Sequence, residues 1–156
     1  MALDVDPSTS LIHTKLSQPR LGCDLIPRPR LIERLNAGLG GKVTLVCAPA
    51  GYGKTTLLAG WVQTIDRPTA WLSLDEHDDE LISFVRSLTA ALQNVFPDAF
   101  GAIASQLQSP RLPTFDSLVA LFSNDLADLP EDLLLVLDDY HRIRTSEVHT
   151  LSLIHI

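Results

Sequence analysis

The sequence predicts an α/β fold with a parallel sheet. Three short apolar runs, at residues 42–50, 68–75 and 132–139, are typical of strands, and amphipathic segments with helical spacing separate them. Apolar strands that alternate with helices favour parallel strands joined by helical crossovers. With 156 residues, of which 46% are hydrophobic and 20% charged, the chain is long enough for one domain with a proper core.

The first elements are a lead-in, a short helix and a strand. Residues 1–24 show neither helical nor strand periodicity, so we expect an extended lead-in. A helix is predicted from Pro29, which suits a first turn, to the glycines that begin at Gly38. The run KVTLVCAPA, residues 42–50, contains Cys47 and predicts a strand buried on both faces.

Three further helices are predicted from apolar residues that recur at helical spacing. One follows the first strand at residues 54–65, and another follows the second strand at residues 80–96. After a polar loop, a third occupies residues 114–129, with Thr114 as its N-cap. The last apolar run then predicts a third buried strand that ends in two acids.

The most specific pattern, APAGYGKTT, lies between the first strand and its helix. It matches the phosphate-loop spacing that ends in Gly-Lys-Thr, with Ala48 in place of the usual first glycine. Gly51 and Gly53 allow positive φ angles and a close approach to phosphate oxygens, and the helix N-terminus faces the anion. Lys54 is expected to span the β- and γ-phosphates, and the Thr55 hydroxyl to ligate Mg²⁺. The expected nucleotide-binding segment consists of Ala50, Gly51, Tyr52, Gly53, Lys54, Thr55 and Thr56. The alternative is a chance match in a glycine-containing turn.

Two adjacent carboxylates, Asp138 and Asp139, end the third apolar run. In phosphate-loop enzymes an acid at a strand end holds the Mg²⁺ shell, and this role is predicted for Asp138. The next acid can orient or deprotonate an attacking water, and this role is predicted for Asp139. Together with Lys54, Asp139 is the expected catalytic residue. The alternative for both acids is a solvated turn at the end of a strand.

Other polar or aromatic residues carry weaker indications. The acidic run DEHDDE, residues 75–80, is interpreted as a solvated loop rather than a cation site, and His141 as a turn or packing residue rather than a catalytic one. Arg28 either reaches the nucleotide or lies exposed in a first helical turn. Trp61 and Trp71 are expected in the core.

Composition excludes several classes of protein. A net charge of −7 argues against a basic nucleic-acid surface within this segment. The two cysteines, Cys23 and Cys47, lack metal-ligand spacing, and we expect a reduced, cytoplasmic setting. No stretch reaches the roughly 18 apolar residues of a membrane span, so no membrane partner is expected.

Four segments, TKLSQPRLGCDLIPRPRLIERLNAGL, LVCAPAGYGKTTLLAGW, AWLSLDEHDDELISFVRSLTAAL and LVLDDYHRI, together resemble a known family. They are similar to the N-terminal nucleotide-binding domain of MalT-like, LuxR-type bacterial regulators, which belong to the STAND class of signal-transducing ATPases. The resemblance covers residues 14–150. Members often carry Asp-Asn where this chain has Asp78-Asp79.

The resemblance implies a P-loop NTPase fold for residues 25–150, as a partial three-layer αβα sandwich that lacks its later strands. It implies ATP and ADP as ligands with Mg²⁺, slow hydrolysis, and self-association of the full-length protein in the ATP state. DNA binding would belong to a helix-turn-helix beyond this chain. Arg28 corresponds to a segment that helps to hold the nucleotide.

The resemblance also implies that two strands flanking residues 43–47 lie beyond Thr150. We therefore expect the 156-residue chain by itself to fold poorly and to hydrolyse little ATP. The last six residues, LSLIHI, are the translation of a sequencing-library transposon end, CTGTCTCTTATACACATC. Residues 151–156 are accordingly expected to be a non-native tail, apolar enough to be placed as a substitute strand. The alternative is a genuine apolar tail.

Two rival functions share part of this pattern. A P-loop kinase or another metabolic phosphotransferase would share the phosphate loop, but would need a lid with arginines and a substrate pocket after the third strand. A degenerate module that binds partners without nucleotide is disfavoured by the intact Lys54, Thr55, Asp138 and Asp139.

Overall fold

The computed structural model describes residues 14–22 and 26–154. They form two compact units, one made of residues 18–22 and 26–66, the other of residues 14–17 and 67–154. Cys23 and the first 13 residues of the predicted lead-in lie outside the described residues.

The unit that ends at residue 66 contains two helices. Helix α1, Pro29–Gly38, starts with proline in its first turn as predicted, and Arg28 is its N-cap residue. Helix α2, Lys54–Val62, starts directly after Gly53. The indole Nε1 of Trp61 donates a hydrogen bond of 2.7 Å to Oδ1 of Asn36, which ties the two helices together.

The predicted strand at residues 42–50 is wrong in this structure. Residues 43–49 carry no strand assignment, and no described segment pairs with them. Val43 is 52% exposed and Leu45 76% exposed, and Cys47 is exposed too. The physical reason is that a central strand needs neighbouring strands to bond its N–H and C=O groups and to cover its apolar faces.

The second unit is built on a two-stranded parallel sheet. Strand β1, Thr69–Ser73, pairs with strand β2, Leu134–Asp138, in the register Thr69↔Leu134 to Ser73↔Asp138. Both strands were predicted within a few residues of these bounds. The parallel pairing is compatible with the predicted α/β class, because β1 and β2 are joined by a crossover made of helices.

The crossover contains three helices, one more than the sequence predicted. Helix α3, Leu81–Gln93, and helix α5, Phe115–Ala127, match the predicted helices, and the Thr114 side chain caps α5 by accepting from the N–H of Ser117 at 3.3 Å. Between them, part of the predicted polar loop is helix α4, Gly101–Leu107. It forms because Phe100, Ile103 and Leu107 are buried in the core.

The acidic run after β1 is more ordered than the predicted solvated loop. Glu76–Asp79 form a 3₁₀ turn with Asp75 and Asp78 in a reciprocal capping box. The Asp78 side chain is only 1% exposed and accepts hydrogen bonds from Lys15 Nζ at 2.7 Å and from Ser87 Oγ at 2.8 Å. Burial of this carboxylate is possible because these donors replace its water.

The chain after β2 forms a 3₁₀ turn, Tyr140–Arg142, and helix α6, Ser146–Ile154. The expectation that residues 151–156 would be placed as a strand is wrong for the described part, since residues 151–154 continue α6 and Leu151 is buried. The core of this unit joins the apolar faces of β1 and helices α3 to α6. Trp61 and Trp71, each in its own unit, are buried as predicted.

Candidate functional site

The loop before α2 has the backbone that a phosphate-binding turn requires. Gly51 has φ 82° and Gly53 has φ 73°, both in the left-handed region that favours glycine. Because α2 starts at Lys54, the N-terminal N–H groups of the helix and the positive end of its macrodipole face the same side as this turn. The local geometry is therefore suited to an anion.

The Lys54 ammonium lies over the loop that precedes it. Its Nζ donates to the carbonyl oxygen of Ala48 at 2.7 Å and to that of Pro49 at 3.1 Å. Carbonyl oxygens are weaker partners for an ammonium than phosphate oxygens, since a charged acceptor makes a stronger hydrogen bond. An anion bound in the loop would compete for Lys54 against these two carbonyls.

Arg28 links the start of α1 to the same loop. Its backbone oxygen accepts from Leu31 N–H at 3.0 Å and from Ile32 N–H at 3.1 Å, which fixes the residue at the start of the helix. Its Nη1 donates to the carbonyl oxygen of Tyr52 at 3.0 Å. A Cβ atom added at Gly53 would lie 3.7 Å from Nη2, so the guanidinium lies directly against the turn. A second cation therefore stands beside the predicted nucleotide-binding segment.

The two acids occupy the end of β2 in the other unit. Asp138 is 7% exposed, and its Oδ1 accepts from the N–H of Asp139 at 3.0 Å. Asp139 adopts a left-handed conformation with φ 57°, which aspartate tolerates better than most residues. Its carboxylate lies 3.8 Å from Nδ1 of the exposed His141, within the 3₁₀ turn as predicted for that histidine.

The segment after the acids is held by the acidic run that follows β1. Oδ1 of Asp79 accepts from the N–H groups of Arg144 at 2.6 Å and Thr145 at 2.8 Å. These two hydrogen bonds lower the pKa of Asp79 below its ordinary value. Asp79 thus positions the chain just beyond the acidic pair, a role that its sequence context did not reveal.

The structure therefore brings Arg28 together with residues 50–56 in one unit and places Asp138 and Asp139 in the other.

Sequence reasoning missed Gln18, whose Nε2 donates to the carbonyl oxygen of Ala59 within α2. It also missed Lys15, whose Nζ lies 2.9 Å from Asp75 and 2.7 Å from Asp78. Both lie in the predicted lead-in, where no periodicity marks them.

Within the described ranges, no three histidine, cysteine or acidic side chains come together as a metal site. No helix in those ranges is long and apolar enough to cross a membrane.

These features define a mixed helix-and-strand chain with a small parallel sheet and an anion-suited turn. No family model matches the chain. It is 35% identical over 139 residues to "HTH-type transcriptional regulator MalT" of Klebsiella pneumoniae subsp. pneumoniae, and 34% identical over 139 residues to that of Cronobacter sakazakii. It is 37% identical over 142 residues to the regulator of the same name from Vibrio campbellii.

These matches cover 88–89% of this chain but only 15% of each relative's length. The likeness supports a relationship between this chain and a region of MalT-like transcriptional regulators, as the sequence motifs indicated.

Proposed function

We propose that this chain is the ATP-binding switch region of a MalT-like, LuxR-type transcriptional regulator, built as part of a P-loop NTPase domain of the STAND class. The observation that carries the proposal is the turn before α2: two glycines with positive φ lead directly into a helix, and Lys54 and Arg28 lie beside them. The likeness to MalT regulators supports the regulatory part of the proposal.

In this proposal, residues 50–56 enclose the phosphates of ATP or ADP. Lys54 leaves the carbonyl oxygens of Ala48 and Pro49 for the β- and γ-phosphates, because the phosphate is the stronger acceptor. Arg28 holds the turn through the Tyr52 carbonyl and adds positive charge beside it.

Thr55 and Asp138 are the residues proposed to hold Mg²⁺. Mg²⁺ is bound in such sites by one or two protein oxygens together with phosphates and water, so one hydroxyl and one carboxylate are a fitting donor set. The ion supplies charge neutralisation on the phosphates. Asp139 is proposed to orient or deprotonate the water that attacks the γ-phosphate.

The exposed segment at residues 43–47 is proposed to become a strand only beside further strands of the whole protein. Its support is the exposure of Val43 and Leu45 together with its apolar, β-branched sequence. Slow hydrolysis, self-association in the ATP state, a cytoplasmic location and DNA binding through a separate helix-turn-helix belong to the same proposal for the whole protein.

The rival function is a P-loop kinase or another phosphotransferase. We would titrate Mg-ATP and Mg-ADP into the longest reading frame that contains this chain, and then assay phosphate transfer to sugars, nucleosides and other small acceptors. The switch proposal expects micromolar nucleotide binding, slow phosphate release and no phosphorylated acceptor. Transfer to an acceptor at a rate above that of hydrolysis would support the phosphotransferase, and absence of nucleotide binding would contradict both.

A further inference from the structure

An apolar groove lies outside the nucleotide-binding segment, in the unit formed by residues 67–154. It has a volume of about 590 Å³ and runs between the connection from α3 to α4 and the end of α5. Its walls include Phe96, Phe100 and Leu129, and its carboxylates are Asp98, Asp125 and Asp128. None of these residues has a role in the proposed nucleotide chemistry.

The groove is formed by a fixed backbone. Phe100 has φ 60° and is only 1% exposed, and its ring centroid lies 6.2 Å from that of Phe122 on α5. The side chain of Gln93 donates from Nε2 to the carbonyl oxygen of Ala99 at 3.2 Å. Because α3, α4 and α5 are joined through these contacts, the groove needs little rearrangement to accept an occupant.

The negative charge of the groove is not matched within the described residues. Oδ2 of Asp125 is buried and has no hydrogen-bond partner there. Asp98, Asp125 and Asp128 form no ion pair with any described lysine, arginine or histidine. Between residues 94 and 133, Arg111 is the only lysine or arginine, against six acidic residues.

The C-terminal end of α5 adds to the excess of negative charge in the groove. Asp125 lies in its last turn, Asp128 is its C-cap residue, and the last turn has no basic residue. A carboxylate near a helix C-terminus is unfavourable, because the macrodipole is negative there. Burial raises the pKa of Asp125, and the charge of the neighbouring Asp128 raises it further. A cation beside Asp125 would relieve the repulsion that this carboxylate meets from Asp128 and from the end of the helix.

We propose that this groove docks a protein segment that presents an arginine or lysine between apolar side chains. The apolar walls accept the flanking side chains, and the cation pairs with Asp125 and Asp128. A free metal ion would leave the apolar walls uncovered, whereas a purely apolar segment would leave the carboxylate of Asp125 unpaired.

The test uses the longest reading frame that contains this chain, segmentally labelled with ¹⁵N over residues 1–150, and two peptides. One peptide is Ac-Leu-Arg-Leu-NH₂, and the other replaces arginine by citrulline, which has nearly the same shape without the charge. The arginine peptide should shift the amide signals of residues 95–102, other than Pro97, and of residues 125–129 in a saturable way. The citrulline peptide should bind at least about fivefold more weakly, because a charge-assisted hydrogen bond is lost.

Two variants separate the groove from a general attraction of the acidic chain for cations. Asp125→Asn keeps the shape of the side chain and should weaken the arginine peptide at least about fivefold. Asp116→Asn changes the same charge at the exposed start of the same helix and should leave the affinity unchanged. Spermidine serves as a cation without apolar flanks and should not reproduce the shifts at residues 95–102.

Any of four results would overturn the proposal: no saturable shifts at 1 mM peptide, equal binding of the citrulline peptide, equal weakening by both variants, or spermidine shifts that match those of the peptide. Shifts of the same amides with protein concentration alone would assign the groove to a second copy instead. Each readout is independent of nucleotide, so the outcome does not depend on the proposed ATP site.

Discussion

Asp78 offers the sharpest stability test in the molecule. Its buried carboxylate accepts from Lys15 Nζ at 2.7 Å, from Ser87 Oγ at 2.8 Å and from the N–H of Asp75 at 2.9 Å. Replacing Asp78 by alanine removes all three acceptor contacts at once. The contacts connect residue 15, the turn after β1 and helix α3, so their loss should be felt across this unit.

The expected cost follows from these contacts. A hydrogen bond to a charged group contributes about 1.5–3 kcal/mol, but such contributions are not additive. Lys15 keeps a second partner, because Asp75 lies 2.9 Å from its Nζ, so its charge is not left unpaired. We therefore expect Asp78→Ala to lower the free energy of unfolding by about 3 kcal/mol. Asp78→Asn keeps one acceptor oxygen and should cost about half as much.

The assay is urea and thermal unfolding followed by circular dichroism at neutral pH. At a few degrees per kcal/mol, a loss of about 3 kcal/mol lowers the midpoint by roughly 10 °C. Glu131→Ala is the matched control, because it removes one carboxylate from an exposed position in the same unit. If Asp78→Ala changed stability by no more than the control does, the buried ion-pair cluster would not hold this unit together as described.

Three further predictions follow from named contacts. Asp79→Ala should destabilise the chain at neutral pH while Asp79→Asn is tolerated, since an amide oxygen can still accept from Arg144 and Thr145. Folding lowers the pKa of Asp79, so the contribution of this carboxylate to the free energy of unfolding is present above its ordinary pKa of 3.8 and is lost as the pH falls through its pKa in the folded state. The unfolding curves of the native chain and of Asp79→Ala should therefore converge in acid. Arg28→Ala should weaken ATP binding in equilibrium titration without lowering the melting temperature, because its contact to the loop is exposed. Asp139→Asn should leave Mg-ATP bound but slow hydrolysis about 10²–10⁴-fold in the longest reading frame, and normal turnover would return Asp139 to a turn residue.

The parts of the fold that sequence predicts well are those with local periodicity. Helices α1, α3 and α5 carry apolar residues at helical spacing, and strands β1 and β2 are short apolar runs bounded by polar residues. Helix α2 is indicated by the phosphate-loop motif that directly precedes it. The Thr114 cap was also predicted, because a threonine that directly precedes an apolar periodic segment is a local signal.

The elements that the sequence predicted wrongly or did not reveal depend on distant residues. Residues 43–47 have strand composition, but a strand exists only where partners pair with it, and the described residues offer none. Helix α4 was missed because its apolar residues are few and its burial comes from α3 and α5. Burial of Asp78 requires Lys15, 63 positions away, and no spacing rule relates the two residues.

In the candidate site, too, some features follow from a local sequence motif and others do not. The turn at Gly51 and Gly53 and the start of α2 were predicted from a compact motif, and the structure has the expected backbone there. The partners of Arg28 and Lys54 are loop carbonyls, which sequence alone does not identify. Nucleotide binding itself stays a prediction.

The most direct test of the proposed function is ATP binding with and without Lys54. Isothermal titration of Mg-ATP into the longest reading frame that contains this chain should give micromolar affinity, and Lys54→Ala should abolish it while the melting temperature without nucleotide is unchanged. Lys42→Ala is the control, since it removes an exposed lysine at the start of the apolar run. Equal ATP affinity in the native protein and in Lys54→Ala would contradict the assignment of residues 50–56 as a nucleotide-binding segment.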